Sequence, residues 1–550
     1  ESEGNDLDME SDEEAMEEFS DDEEEYTLNA RPEEERIEIE AQMLSLERAV
    51  PSLTNDYRLV DRLGTGTFST VFKAVDLHHQ TKWDNSLWRQ SNRMSRRVFV
   101  ALKRIYVTSA PDRIRNEISI METCRGARYV SQIITAFRER DQIVLVLPYQ
   151  RNDDFREFFR FLPMEGIKAY FRCLFRALRD IHARCIIHRD VKPANFLFDP
   201  RMGVGTLCDF GLACRVERAS TLGLCYHTPA SKLHPHGRIR SKEEMDAELI
   251  RQKQREARAR TTFKSERVGY LDKDPRPHSR ANRAGTRGFR APEVLLKCGD
   301  QTGAIDVWAA GTILCFFLTN KFPLMNSGDD VEALMEIASI IGRRKMEKVA
   351  TLHSRTFSTN IPSLADEGVV WSQFVEKLNP NLRIPRPPDP RFFPYCISHD
   401  HPPPPSSPSS RKTSPPSSDA FGHSPTSPSS NCNEWEHDVE NALDLLEKTM
   451  HPESVKRITP LQALRHPFLL EDGVDDNDFF PHPPGGGVCA NWHLIDDEEG
   501  SYFVRIRLRD GEPRLEDDDE DDEEPGTILR RISAGEGIAI GNSPCEFHSE

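Results

Sequence analysis

The 550-residue chain is long enough for several domains or for one large domain with extensions, and its formal net charge of -19 is unevenly spread, which favours the second. Residues 1–40 hold 20 acids against two arginines and Glu516 to Glu524 are nine acids in a row, so the rest of the chain is net basic and suited to acidic partners. No apolar run reaches about eighteen residues, the first residues are acidic where a leader would be basic, and the twelve cysteines form neither a C-x-x-C pair nor a matched Cys/His quartet; a membrane span, secretion, a disulfide framework and a structural zinc site are therefore not expected, and a reducing intracellular compartment is.

Residues 1–50 read as an acidic, mostly disordered extension, because they cannot bury enough apolar surface to offset ordering entropy. Ile37 to Val50 has the spacing of a short leading helix. Folding is expected from near Tyr57, where strand-like alternation begins: Tyr57–Val60, Val71–Val75, Val98–Leu102 and Ile143–Leu147, with one helical stretch, Asp112 to Thr123, among them. Past Asp153 the periodicity turns helical, at Phe155, Phe158 and Phe159 and then Tyr170, Leu174, Ala177, Leu178 and Ile181. A small strand-rich lobe over residues 51–150 and a larger helical lobe over residues 151–471 follow, an α+β arrangement.

Two stretches interrupt the helical lobe. One runs from about 214 to 281, with an exposed, charge-mixed helix expected over Ser241 to Arg260. The other runs from about 384 to 433, is rich in proline and serine, and reads as disordered; its Ser407, Ser414, Ser424 and Ser427 each precede proline, as targets of proline-directed kinases do. Residues 472–550 form a C-terminal extension in which Tyr502, Val504, Ile506 and Leu508 alternate with Arg505, Arg507 and Arg509, the pattern of one amphipathic strand.

The chemistry is carried by short motifs in a fixed order. Leu63-Gly64-Thr-Gly66-Thr-Phe-Ser69-Thr-Val71 places glycines in a turn between two strands, where missing β-carbons let backbone N–H groups approach phosphates. Alone it would pass for a hairpin turn. Val100-Ala101-Leu102-Lys103 supplies a strand lysine for the α- and β-phosphates of ATP, and Glu117 on the next helix is its prospective partner. Ile187-His188-Arg189-Asp190-Val191-Lys192-Pro193-Ala194-Asn195-Phe196 fixes too many letters for chance. In phosphoryl transfer Asp190 would orient the attacking hydroxyl and take its proton, Lys192 would neutralise the moving phosphoryl, and Asn195 would ligate magnesium. Asp209-Phe210-Gly211 follows at hairpin distance, with Asp209 as the second Mg2+ ligand. Gly285-Thr286-Arg287-Gly288-Phe289-Arg290-Ala291-Pro292-Glu293 closes the series.

These motifs resemble the bilobal protein kinase fold over roughly Tyr57 to Leu470. Three features resemble the cell division cycle seven kinases in particular: Asn282 to Glu293, the Leu147-Pro148-Tyr149 hinge, and Gln301 to Trp308. So do the two interruptions. The resemblance implies that ATP contacts Leu63, Gly64, Gly66, Ser69, Val71, Ala101, Lys103, Leu147 and Tyr149, that Thr286 bridges Asp190 and Lys192, that Glu293 pairs with Arg457, and that Asp306 braces the catalytic loop. It also implies a regulatory subunit of the Dbf-four type, the minichromosome maintenance helicase as protein substrate, action in the nucleus, and no direct contact with nucleic acid or membrane. Targets would be serines or threonines followed by an acid or a phosphoserine. Guanidinium forks grip such groups in two-pronged fashion, which makes Arg283 and Arg290 the expected acid readers; Arg287 stands where that family tends to have proline. The basic inserted helix would be either a docking surface or a spacer, and the acidic ends either solvated tails or restraints lying in a basic groove. A casein-type kinase working without a regulatory subunit, or a scaffold without catalysis, are the competing readings.

Overall fold

The alternation at Tyr57 to Leu147 resolves into one antiparallel sheet built from β1 (Tyr57–Thr65), β2 (Ser69–Asp76), β3 (Val98–Ile105), β4 (Thr135–Glu139) and β5 (Gln142–Pro148), in the order β1-β2-β3-β5-β4. The computed structural model describes residues 27–66, 68–78, 97–106, 108–124, 127, 129–216, 225–231, 233–245, 248, 251–252, 255–256, 259, 284–385, 428–471, 493–495, 502–507 and 527–532. Four expectations therefore lie outside the described residues, wholly or in large part: those for the acids before Thr27 and at Glu516, for the proline- and serine-rich insert with its Ser-Pro sites, for much of Ser241 to Arg260, and for Arg283. The chain divides into two units, the first holding the five-stranded sheet and the helix Glu33–Ala49 and the second the remaining long helices, and together they make up a protein kinase domain with a β-sheet N-lobe and a helical C-lobe.

In the first unit Val71 pairs with Lys103 and Ala101 with Leu147. Directly paired residues and residues two apart share a face, so Val71, Ala101, Lys103 and Leu147 line one side of the sheet. β4 escaped the sequence reading because it is a five-residue edge strand with no fully buried side chain.

Folding begins earlier than near Tyr57. A helix, α1 (Glu33–Ala49), buries Ile39 and Leu46 completely, and Val50 and Leu53 continue the same stripe. Just before it, the Arg31 guanidinium donates to both oxygens of the buried Asp61 on β1 at 2.9–3.1 Å and to the Arg62 carbonyl at 2.9 Å. The acids that made this stretch look unfoldable find basic partners, Glu33 with Arg36 on the helix itself and Glu38 with Arg62 of β1. Four buried apolar residues on one stripe outweigh a charged outer face that stays in water.

The second unit begins with α2 (Pro111–Thr123). It continues through α3 (Phe155–Phe158), α4 (Met164–Ala183) and the short strands β6 (Ile186–Ile187), β7 (Phe196–Asp199), β8 (Val204–Leu207) and β9 (Cys214–Arg215). α5 (Pro292–Leu295), α6 (Ala304–Thr319), α7 (Asp330–Ile341), α8 (Arg343–Leu352), α9 (Trp371–Leu378), α10 (Pro428–Thr449) and α11 (Pro460–Leu464) complete its helices. Every residue of α6 is buried, so its one acid, Asp306, has to be satisfied inside the protein. Phe155, Tyr170, Phe198 and Phe317 meet edge-on or tilted around α4, with centroids 5.0–6.3 Å apart, and make a stiff floor under the loops between β6 and β9. Farther along, Tyr502–Arg507 is a strand, as its alternation predicts, but it is the centre of a three-stranded antiparallel sheet with His493–Ile495 and Thr527–Ile532; the first flanking strand is only three residues long, and the second, Thr-Ile-Leu-Arg-Arg-Ile, does not alternate. Among the described residues no helix is long and apolar enough to cross a membrane.

Candidate active site

The loop between β6 and β7 gathers the predicted catalytic residues. Asp190 accepts from the Thr286 hydroxyl at 2.7 Å and the Thr286 backbone N–H at 2.9 Å on Oδ1, and from the Lys192 ammonium at 2.8 Å on Oδ2. Lys192 also donates to the Thr286 hydroxyl at 3.1 Å, which closes a triangle. The Asn195 amide nitrogen donates to the Asp190 carbonyl at 2.9 Å and to its Oδ2 at 3.0 Å, leaving the amide oxygen as the atom able to meet a cation.

Residues 96 apart can make this triangle because Gly285 carries φ +99 and lies against the catalytic loop. A β-carbon there would stand 2.3 Å from the Arg189 carbonyl oxygen, so only glycine lets the two backbones touch. The loop itself hangs from Asp306. Its Oδ2 accepts from the His188 backbone N–H at 2.8 Å and the His182 Nε2 at 2.9 Å, and its Oδ1 accepts from the Arg189 backbone N–H at 2.8 Å. Burial alone would raise the Asp306 pKa; the His182 hydrogen bond and charge, the nearby His188 and the Arg189 N–H more than reverse this and hold it below its ordinary value. Glu293 is likewise pushed up by burial but pulled lower still by Arg457, whose two terminal nitrogens donate to its two oxygens at 2.7 and 3.2 Å.

Asp209 sits in the left-handed region, at φ 63 and ψ 76. The preceding Cys208 N–H donates to the Asn195 carbonyl at 2.9 Å, which ties the Asp209 backbone to the catalytic loop. Next to it, Phe210 is wholly buried and meets the His188 ring edge-on at 5.0 Å. α2 grips the same turn: Arg113 donates to the Gly211 carbonyl at 2.8 Å and Asn116 to the Ala213 carbonyl at 2.9 Å. Buried Glu117 lies so close to Gly211 that a β-carbon there would be 3.3 Å from its carboxylate oxygen. Spacing had suggested Glu117 only as a partner for Lys103; the positions three and four residues before it on the helix, Arg113 and Ile114, were silent about this contact.

The remaining nucleotide residues belong to the sheet unit. The turn between β1 and β2 is closed by the Gly66 N–H donating to the Ser69 carbonyl at 2.8 Å, and a β-carbon at Gly64 would meet nothing within 4 Å, so the backbone there is open to a close-approaching group. Lys103 is buried on the face it shares with Val71, Ala101 and Leu147; Leu63 is exposed, and Leu147 and Tyr149 are half-buried. Amide and carboxylate oxygens at Asn195 and Asp209, with no sulfur among the donors, fit a hard divalent cation.

Arg290 has other contacts. Its guanidinium donates twice to the Gly285 carbonyl, at 2.9 and 2.6 Å, and once to Asp330 at the start of α7. As it stands it braces the segment that carries Thr286. Arg287, Arg290, Lys297, Asp329 and Asp330 line a cavity of about 500 Å³ beside it.

The sequence matches the protein kinase domain over residues 57–232 and 269–469. It is 41% identical to the cell cycle serine/threonine-protein kinase hsk1 of Schizosaccharomyces pombe, over 62% of this chain and 66% of that one. It is 39% identical to the cell cycle protein kinase spo4 of the same organism, over 62% of this chain and 78% of that one. The human cell division cycle 7-related protein kinase is 26% identical over 78% of this chain and 92% of its own length.

Proposed function

The chain belongs to the protein kinase family and, within it, to the cell division cycle 7 kinases; it is a serine/threonine protein kinase acting on protein substrates with ATP and a divalent cation, and on that premise we propose which residues act and on what. Asp190 orients the substrate hydroxyl and accepts its proton. Lys192 offsets charge on the transferred phosphoryl, and Thr286 holds both side chains in register, so the substrate-binding segment and the base move as one piece. Lys103 and the open glycine turn hold the phosphates, with Glu117 orienting Lys103. Asn195 and Asp209 hold the cation, proposed to be magnesium, which when bound neutralises phosphate charge. The single observation that carries this reading is the closed Asp190, Lys192 and Thr286 triangle with Asn195 donating into it. A scaffold without catalysis would not need that polar geometry.

Substrates are proposed to be serines or threonines followed by an acid, as in the acidic tails of the minichromosome maintenance helicase. Arg283 and Arg290 would read the acid, which then competes with Asp330 for the Arg290 fork. Activation by a regulatory subunit of the Dbf-four type, and action in the nucleus, complete the proposal. Support comes from the net basic middle of the chain and from relatives whose names mark them as cell-cycle kinases.

The test is transfer of labelled phosphate to an acidic helicase-tail peptide and to the same peptide with alanine after the target, with and without purified regulatory subunit. Transfer should need the subunit and favour the acidic peptide about tenfold or more, the yield of one charge-assisted pair. Equal rates with and without the subunit would replace this reading with that of an autonomous acid-directed kinase.

A further inference from the structure

We propose that Lys73 is a positioning residue for nucleotide choice: its buried ammonium fixes the Tyr149 ring, and with it the strand exit at Leu147-Pro148-Tyr149 that meets the base, so that ATP is taken in preference to GTP. The inference rests on the reading that this face of the sheet receives the nucleotide, and it adds a residue that belongs to none of the motifs.

Strand register puts Lys73 on that face. It pairs with Ala101 on β3, and Ala101 pairs with Leu147 on β5, so the three residues form one rung across the sheet. Residues of one rung share a face, and the neighbouring rung on the same face holds Val71 and Lys103. Lys73 is 1% exposed, and of the largest fully buried side chains among the described residues it alone carries a charge.

Its surroundings explain how a cation can sit there. Nζ lies 4.5 Å from the centroid of the Phe99 ring and 4.3 Å from that of Tyr149, both inside the roughly 6 Å reach of a cation–π contact. The two rings meet edge to face, with centroids 6.1 Å apart and planes at 63°, an arrangement that the ring quadrupole favours. Their faces stand in for part of the hydration that the ammonium gives up on burial. A methionine or leucine would fill the same room with no charge to desolvate, so apolar packing alone does not account for a lysine here.

The cation holds the place where the chain leaves the sheet. β5 ends at Pro148, which has no N–H to donate to a ladder, and Tyr149 is the last residue of the first unit before the chain passes into the second. A strand end without that bond is free to shift, whereas a binding group has to stand within about 0.5 Å of its productive place. The clamp of Lys73 and Phe99 on Tyr149 removes that freedom from the side of the sheet. Adenine presents an amino donor where guanine presents a carbonyl acceptor. A fixed backbone edge therefore accepts one base and rejects the other, while a loose edge tolerates both.

The test is calorimetric binding of magnesium-ATP and magnesium-GTP to the full-length chain, with peptide phosphorylation measured in parallel. Lys73→Met should weaken ATP binding about five- to thirtyfold, the range of one desolvated cation–π contact, with GTP binding and the kcat at saturating ATP unchanged. Lys73→Arg keeps a cation over the rings and should restore most of the ATP preference. A Lys73→Met chain that melts as the wild type does and keeps the wild-type ratio of ATP to GTP affinity would overturn the proposal, as would Lys73→Arg behaving like Lys73→Met. Should Lys73→Met not fold, Phe99→Leu removes one of the two rings and reads the same ratio: a fall supports the clamp, and no change refutes it. Ala101→Leu separates the proposal from the reading beneath it. ATP affinity untouched by a larger side chain on that rung would sink the nucleotide face and the proposal together; lost ATP binding there, with no effect at Lys73, would sink the proposal alone.

Discussion

The catalytic loop and the Cys225 to His227 segment are both polar knots inside the same helical unit, yet they are tied by different chemistry. Around Asp190 and Asp306 the ties are hydrogen bonds and charge: Asp306 accepts three donors and Asp190 answers Thr286, Lys192 and Asn195. At Cys225 the ties are soft donors in a buried chain of contacts, from Cys225 Sγ to Cys298 Sγ at 3.7 Å, to His227 Nε2 at 3.4 Å and on to His353 Nδ1 at 3.1 Å. The first knot is adjustable, since a hydroxyl or an ammonium can change partners during a reaction. The second is fixed, and suits an anchor rather than a working part.

That contrast can be broken in several places. The largest effect is expected at Glu293→Ala, which strands the fully buried Arg457 charge and should cost about 3–5 kcal/mol in urea denaturation of the chain. A loss near zero would mean that the pair does not anchor the segment. Acid should reach the same pair more gently. Native Glu293 and Asp306 both titrate below their ordinary values, so below about pH 4.3 the unfolded chain binds more protons than the native one. The stability these groups contribute is full above that pH and falls away as pH drops through their native pKa values. Urea midpoints that did not fall between pH 5 and 3 would contradict those shifts.

A more local break is Gly285→Ala. Its β-carbon cannot sit 2.3 Å from the Arg189 carbonyl, and the positive φ adds about 1–2 kcal/mol of strain. Thr286 should be pushed off Asp190, with kcat falling about tenfold and the KM for ATP unchanged; a KM effect alone would move the residue's role to nucleotide binding. The smallest effect is predicted for Asp330→Asn, which frees the Arg290 fork and should lower the KM for an acidic peptide severalfold, by about the worth of one exposed ion pair, while leaving a neutral peptide unaffected.

Legibility in the sequence follows the same division. His188 to Asn195 could be read because its roles are local and its spacing fixed, and the structure brings Lys192, Asn195 and Thr286 each within hydrogen-bond reach of Asp190. Glu293 and Arg457, 164 residues apart, were legible only through family resemblance. α1 was half seen: its stripe was visible, but the acids around it hid that the stripe is buried. The Cys and His cluster was hard to see because tertiary packing assembles it from separate stretches of chain, in which only Cys225 and His227 are near neighbours. Arg290 was read as an acid reader, with bracing of the fold as the alternative, and no sequence pattern announces that Asp330 will lie beside it.

The most direct measurement is a single-turnover assay of wild-type chain and Asp190→Ala with the regulatory subunit, an acidic peptide and magnesium-ATP, with nucleotide affinity measured in parallel. Asp190→Ala should bind ATP as the wild type does and transfer phosphate about 10²–10⁴ times more slowly. Transfer at the wild-type rate by that variant would show that Asp190 is not the base and that the triangle it forms with Lys192 and Thr286 is merely structural.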